Sequence, residues 1–483
     1  MTCHQLYKTP FLISHPSSIK VYHFKIWIMA TEVTKYPSTL KVLMFPWLAY
    51  GHISPFLNLA KKLADRGFLI YFCSTPINIK SIIKKIPEKY CDSIELVELH
   101  LQELPELPPH YHTTNGLPPH LNHTLQKAMK MFKPNFVKIL QNLKPDLVIY
   151  DIVQQWAERA ANEQNIPTVK LIPSGAVAVT YFFNLANKLG VDYPFPAIYL
   201  RKIEQVKMSE TFAKHAEGKE DDDVDPFANG NMQIVLVSTS RILEAKYIDY
   251  CTELMNWRAV PVGPPVQDPM YNDDADEVEL IDWLGKKGEN STVFVSFGTE
   301  YFLSREDREE IAFGLELSNV NFIWVVRYPN GEEQNLEDVL PKGFLERIGD
   351  RGRVLNKFAP QSRILNHPTT GGFVSHCGWN SVMESIDFGV PIIAMPVHLD
   401  QPMNARLMVE LQVAVEIVRD DDDKIHRGEI AETLKGVVTG KIGENLRAKI
   451  RDISENLKST RGEEMDAAAN ELIQLCKNSN KCK

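Results

Sequence analysis

The stretch Phe358–Gln401, FAPQSRILNHPTTGGFVSHCGWNSVMESIDFGVPIIAMPVHLDQ, decides how the rest of the chain is read. Gly371-Gly372 leads into a short apolar run, Phe373-Val374-Ser375, that reads as a buried strand. His376-Cys377-Gly378-Trp379-Asn380-Ser381 then turns directly into a helix beginning near Ser381. A strand feeding a glycine turn and a helix N-terminus makes an anion site, because free backbone N–H groups and the helix dipole point at the same spot. His376, Asn380 and Ser381 can add side-chain hydrogen bonds to phosphate oxygens. Glu384, about a helical turn further on, has the acceptor-only chemistry that ribose hydroxyls call for. Asp400-Gln401 closes the unit with a carboxylate and an amide suited to a sugar's hydroxyls.

Working outward, 483 residues exceed one ordinary core and point to two domains. Apolar content of 44% with 24% charged residues is that of a globular enzyme, and a net charge of −9 without a basic stripe excludes nucleic acid as a partner. Seven cysteines (Cys3, Cys73, Cys91, Cys251, Cys377, Cys476, Cys482) are scattered without a CxxC pair. That pattern fits reduced thiols in a cytoplasmic protein better than a disulfide framework or a zinc site. No apolar run is long enough for a membrane span. Asn122-His123-Thr124 and Asn290-Ser291-Thr292 match the glycosylation sequon, which carries no meaning in a cytoplasmic chain. Residues 1–38 lack the order of a signal peptide and read as a disordered extension, with Met29-Ala30-Thr31-Glu32 resembling an ordinary start.

From Leu40 short apolar runs alternate with amphipathic stretches, the pattern of βαβ units on a parallel sheet. KVLMFPW, LIYFCST, DLVIYD, TVKLIP and IVLVSTS are strands of a first domain, residues 39–260. The run Glu220–Asp225, within the polar segment Lys202–Asn231, reads as a solvated loop rather than a metal site. Residues 261–279, rich in Pro, Asp and Asn and without period, read as a linker. TVFVSFGT, NFIWVVR, RVLNKF, GGFVSH and PIIAMP open a second set of elements over residues 280–455, and helix closes the chain. The fold class is therefore α/β, two Rossmann-like parallel-sheet domains facing a cleft.

The Phe358–Gln401 segment resembles, along its full length, the donor-binding box of the plant secondary-product glycosyltransferases that use UDP-sugars; weaker similarity runs from about Leu40 to the C-terminus. The resemblance implies the GT-B fold, with residues 456–483 returning to the first domain. It implies that Ala359 and Gln361 meet uracil and ribose, Glu384 the ribose hydroxyls, and His376, Gly378, Asn380 and Ser381 the diphosphate. Trp379, Asp400 and Gln401 would read the sugar, the terminal Gln being usual in glucose users. Ser296, Gly298 and Thr299, in a loop after the second domain's first strand, would also contact the diphosphate. The family opens this box with Trp where this chain has Phe358, which stacks with less area and no indole N–H, so base recognition is expected to be looser.

Glycosyl transfer to a hydroxyl needs a held leaving group, an aligned acceptor and a base for the acceptor's proton. His52, in Gly51-His52-Ile53-Ser54-Pro55 after the first strand, lies at the sheet edge that faces a cleft and matches the family's catalytic histidine. Asp151, ending the strand Leu147–Tyr150, lies at the equivalent edge and matches its partner aspartate; Asp146 lies at the wrong end of the same strand. The resemblance implies direct displacement with inversion, UDP-glucose as donor substrate, no cofactor and no metal.

Trp47, Tyr50, Gln155, Trp156, Ser174 and Tyr181 are candidates for the acceptor wall. MFPWLAYGHISPF, CSTPIN, TTNGLPPHL and YDIVQQWAERAA resemble the branch that glucosylates sugars already attached to flavonoid, terpenoid or carotenoid-derived cores, with a 1,6 linkage favoured over 1,2. The rival enzyme reading is a first-step transferase acting on an aglycone hydroxyl. A non-catalytic binding paralogue would have no need of His52 and Asp151 together. A nicotinamide dehydrogenase would want GxGxxG after its first strand, where this chain has LAYGHISPF. The chain is expected to act as a monomer.

Overall fold

The computed structural model describes residues 40–188, 191–217, 233–266, 275–328 and 335–481. The expected N-terminal extension, residues 1–38, and the acidic run Glu220–Asp225 lie outside the described residues.

The first sheet contains β1 (Lys41–Phe45), β2 (Leu69–Ser74), β3 (Ile94–Glu98), β4 (Leu147–Asp151), β5 (Thr168–Ile172), β6 (Gln233–Val237) and β7 (Trp257–Pro261), in the order β3-β2-β1-β4-β5-β6-β7. The second contains β8 (Thr292–Ser296), β9 (Asn321–Val325), β10 (Gly352–Leu355), β11 (Thr370–Ser375), β12 (Ile392–Ala394) and β13 (Ala414–Glu416), in the order β10-β9-β8-β11-β12-β13. The pairings in both sheets are parallel. Central strands such as β1, β4 and β8 are apolar on both faces because helices cover both, which is why they read as continuous hydrophobic runs.

Strand order reverses between β1 and β4 in one sheet and between β8 and β11 in the other. The connections leave to opposite sides at those points and open a crevice beyond the strands' C-terminal ends. The two crevices face each other because one apolar cluster joins the domains. It takes in the helices Ala176–Asn187 and Arg241–Met255 from the first, and Trp379–Asp387 and Gln401–Glu410 from the second. An ionic cluster lies at the same junction: Arg406, 3% exposed, pairs with Glu204 at 2.7 Å, and Arg201 pairs with Glu416 at 2.6 Å.

Several elements differ from expectation. The polar stretch after Lys202 forms a helix, Lys202–Glu217, whose Glu204 is recruited by Arg406. Pro261 completes β7 and the helix Ala275–Gly285 begins within residues 261–279, so the interdomain connection is shorter at both ends than expected; its middle, residues 267–274, is outside the described residues. The amphipathic stretch before β4 forms two helices, Asn122–Met131 and Lys133–Leu143, with Pro134 in the first turn of the second. Cys73, Cys251, Cys377 and Cys476 are free buried thiols, whereas Cys91 is disulfide-bonded, against the uniformly reduced set expected. Among the described residues no helix is long and apolar enough to cross a membrane.

The last helix, Lys441–Lys481, spans both domains. Ser454 and Lys458 donate to the Asp387 carbonyl of the second domain, at 2.8 and 2.6 Å. Further on, Met465, Ala468, Ala469, Leu472 and Cys476 enter the core of the first domain, and Arg66 donates to Asp466 at 2.8 Å. Leu472 is fully buried there. Leu472→Ala should cost about 2–5 kcal/mol by removing buried methyl groups and leaving a cavity. Urea unfolding should show a much smaller loss for the half-buried neighbour Ile473→Ala.

Candidate active site

A cavity of about 460 Å³ lies between the two crevices. Its first-domain side begins where β1 ends: the chain passes Pro46–Ala49 and enters the helix Tyr50–Ala64, which places His52 in the first turn. Asp151 is the last residue of β4, the strand paired to β1 across the reversal. His52 Nδ1 and Asp151 Oδ2 are 2.8 Å apart. Asp151 is fully buried, and it also accepts from the backbone N–H of Trp47 at 3.1 Å and of Val153 at 3.0 Å. Those bonds fix the carboxylate, and the carboxylate fixes the tautomer that leaves His52 Nε2 as the available base. Burial presses the His52 pKa down, but the charge and hydrogen bond of Asp151, aided by Glu300 and Asp400, outweigh it and leave a net rise above 6.5.

On the opposite wall β11 ends at Ser375, and Cys377 takes a left-handed φ of 64° that turns the chain into the helix Trp379–Asp387. Gly378 caps that helix without a side-chain hydrogen bond, so its first backbone N–H groups remain open to an anion. His376 is wedged between two glycines: an added Cβ at Gly298, whose φ is +80°, would lie 2.8 Å from the imidazole Nε2, and one at Gly378 would lie 2.6 Å away. Burial, with the neighbouring His398, lowers the His376 pKa to about 3. His376 is therefore a neutral hydrogen-bonding group and not a cation near neutral pH.

Each expected donor residue lines this cavity: Ser296, Gly298 and Thr299 after β8; Phe358, Ala359 and Gln361 before β11; His376, Gly378, Trp379, Asn380, Ser381 and Glu384 after it; and Asp400 with Gln401. Gln361 Nε2 donates to Glu384 at 2.5 Å, so the two groups expected at the ribose are already mutually oriented. Burial raises the pKa of Glu384 and likewise that of Asp400. Other groups are committed elsewhere: Trp379 Nε1 donates to the Ser238 carbonyl at 2.7 Å, Asn380 Nδ2 to the Gly51 carbonyl at 3.0 Å, and Gln401 Oε1 accepts from the amides of Val397 and His398. The indole N–H of Trp379 is thus already engaged within the protein. Phe358 is 54% exposed and stands edge-on to Tyr50, with ring centroids 6.2 Å apart.

The acceptor candidates divide. Tyr50 and Ser174 line the cavity, while Trp47, Gln155, Trp156 and Tyr181 do not. Trp156 packs edge-on against Phe45 and Phe136 in the first-domain core, and the Trp47 side chain is buried in that same core. Tyr181 packs against Tyr193, and Gln155 donates to the Ile152 carbonyl at 2.7 Å. Ile152, Val153, Pro173 and Phe182 form much of the first-domain wall instead. Glu300 and Arg327 also line the cavity and were not expected; Glu300 directly follows Ser296–Thr299, so the logic that chose that loop needed one more residue to reach it. Among the described residues no group of three or more His, Cys, Asp or Glu is placed to hold a metal ion.

A base at one reversal point and an open helix N-terminus at the other define a two-domain α/β group-transferase of GT-B type, with a donor side and an acceptor side in one cavity. Residues 38–264 match the family model for the glycosyltransferase N-terminal domain, and residues 271–450 the model for UDP-glucoronosyl and UDP-glucosyl transferase. The chain belongs to this UDP-glycosyltransferase family. It is 54% identical to the beta-D-glucosyl crocetin beta-1,6-glucosyltransferase of Gardenia jasminoides, over 89% of this chain and 98% of that protein. It is 46% identical to a mogroside IIIx synthase of Siraitia grosvenorii, over 93% of this chain and 96% of that protein. A ugt transferase from Siraitia grosvenorii solved in complex with UDP matches with a TM-score of 0.73 at 25% identity, over 90% of this chain and 100% of that one. TcCGT1 in complex with UDP shares the fold with a TM-score of 0.74 at 24% identity, over 91% of this chain and 100% of that one.

The raised pKa of His52 predicts an acid limb in the pH profile of kcat/KM, with activity gained as pH rises through that pKa and the imidazole becomes neutral. Asp151→Asn removes the main influence holding the pKa up. It should move the limb to lower pH and lower the plateau by about 10²–10⁴-fold, measured as initial rates across pH 5–9. Gly298→Ala should weaken UDP binding in titration calorimetry at least tenfold, because the new methyl group meets His376 and the positive φ is lost.

Proposed function

We propose that this chain is an inverting UDP-glucose-dependent glucosyltransferase that adds glucose to a sugar hydroxyl of a small-molecule glycoside, forming a β-1,6 linkage. The observation that carries the reading is the His52–Asp151 pair in the same cavity as the complete donor box. The activity for which the Gardenia relative is named, beta-1,6-glucosyl transfer to a glucosyl crocetin, supports the acceptor class.

In this reading the donor's diphosphate lies against the N-terminus of the helix Trp379–Asp387, with Ser296, Thr299 and Ser381 beside it. The acceptor hydroxyl lies at His52 Nε2. As its oxygen attacks the anomeric carbon from the face opposite UDP, its proton passes to His52 and the bond from that carbon to the diphosphate oxygen breaks. The α-linked donor yields a β-glycoside and UDP, and His52 later releases the proton. Asp151 steadies the transient imidazolium. Charge growing on the leaving diphosphate is met by the open helix amides, the helix dipole and the hydroxyls, and this supports a reaction without a metal. A monomer accords with both halves of the cavity coming from one chain, and the four buried free thiols favour a cytoplasmic location, whereas the disulfide at Cys91 counts against it.

Turnover tests the reading. Purified protein supplied with UDP-glucose should add one hexose to monoglucosides of flat or apolar aglycones, with the new bond at C6 by NMR. His52→Ala should lose at least a hundredfold in kcat while keeping its affinity for UDP. Transfer to bare aglycones alone would make it a first-step transferase instead, and full activity in His52→Ala would remove the base.

A further inference from the structure

We propose that Glu300, with Arg327 beside it, reads the hydroxyls of the acceptor's sugar; this deepens the glycoside-acceptor reading above and rests on it. A glycoside presents two unlike halves to the protein. The apolar half has a wall in Ile152, Val153, Pro173 and Phe182. A sugar offering one hydroxyl to His52 keeps its remaining hydroxyls within a ring's width, and burying them without partners is costly. On the donor side Gln361 is engaged with Glu384, and Gln401 Oε1 accepts from its own loop. Apart from histidines and the donor residues Glu384 and Asp400, the charged side chains on the cavity wall are Glu300 and Arg327.

Three observations place this pair at the acceptor. Glu300 continues the loop at the C-terminal end of β8 and is close enough to His52 for its charge to help hold the imidazolium. Glu300 Oε1 accepts from Thr114 Oγ at 2.7 Å, and Arg327 Nη2 donates to Asn115 Oδ1 at 3.0 Å. Both anchors come from one first-domain loop in which Thr113 and Thr114 are buried, so carboxylate and guanidinium are positioned across the cleft before any acceptor arrives. A carboxylate has about four lone-pair sites, and the Thr114 bond uses one, leaving the rest for sugar hydroxyls. A site built around such bonds discriminates strongly against an acceptor that lacks the matching hydroxyl.

The experiment uses full-length protein, UDP-glucose, a monoglucoside acceptor, and versions of that glucoside with single hydroxyls replaced by hydrogen. Glu300→Ala should lower kcat/KM for the glucoside about 10- to 100-fold. Its UDP affinity by calorimetry and its KM for UDP-glucose should be unchanged. One deoxy-glucoside should lose a comparable factor with the wild-type enzyme and lose no more with Glu300→Ala. Glu300→Gln, which retains an oxygen for Thr114, controls for folding and should keep that dependence in weakened form. Thr114→Val should lose less than Glu300→Ala. Losses from mutation and deoxygenation that simply multiply, or a Thr114→Val loss equal to that of Glu300→Ala, would make Glu300 a structural latch and overturn the proposal. Glucoside turnover undiminished in Glu300→Ala sinks this proposal alone, whereas a wild-type enzyme that takes only bare aglycones sinks the glycoside reading with it.

Discussion

The buried indole of Trp379 is the contact on which the geometry of the cavity depends. It belongs to the second domain, yet its N–H is satisfied by Ser238 of the first, and its ring packs so closely on Gly175 that a Cβ there would lie 2.8 Å from it. A buried indole N–H left without an acceptor costs free energy, so the bond selects one relative placement of the sheets. Glu244 reinforces that placement by accepting the N–H groups of Ala176 and Val177, each at 2.8 Å, at the start of the helix against which Trp379 packs. Asn380, the next residue, donates across the cleft to Gly51, beside the base. Donor helix and catalytic helix are therefore registered by consecutive residues, and the base stands across from the donor box without a connecting loop to hold it there.

The two half-buried histidines of the cavity show how environment divides identical side chains. His52 touches a carboxylate with no exposed surface of its own, and its protonated form is favoured despite desolvation. His376 meets glycine methylenes and another histidine, and its protonated form is driven out of reach near neutrality. In the proposed reaction the first takes up a proton, and the second offers a hydrogen bond without adding charge. On that proposal proton transfer needs only the first, so the backbone amides that fix Asp151 should matter to rate.

Much of this was legible in the sequence because its signals are local. Strand, glycine turn and helix start at Thr370–Ser381 are consecutive, and a residue ending a central strand can be placed at the crevice without knowing the partner strand. The strands that were missed, β3, β7 and β13, are sheet edges or only three residues long, and charged residues such as Glu95, Glu98 and Arg258 interrupt their apolar pattern. The acceptor wall was the hardest to read. Trp47 and Trp156 flank His52 and Asp151 in sequence, but side chains on either side of a strand end alternate between core and cleft. An aromatic residue satisfies the core equally well, and only packing against Phe45 and Phe136 decides where Trp156 goes.

That asymmetry has a physical origin in what each half of the cavity must recognise. A diphosphate and a ribose are constant ligands, met by backbone amides, a helix terminus and a few polar side chains at fixed spacing, so one segment of chain can carry most of the donor site. In the proposed reading the acceptor is met by residues scattered along the chain, among them Ser54, Ile152, Ser174 and Phe182 of the first domain and Glu300 and Arg327 of the second. They come from separate stretches of the chain, helix and loop alike, and their identities follow from which side chains remain once the core is packed. The registration through Trp379 and Asn380 touches Gly175 and Gly51, beside Ser174 and Ser54, whereas Ile152, Glu300 and Arg327 lie apart from it and are freer to vary. Acceptor choice can therefore shift within this framework while the His52–Asp151 pair and the donor box stay as they are.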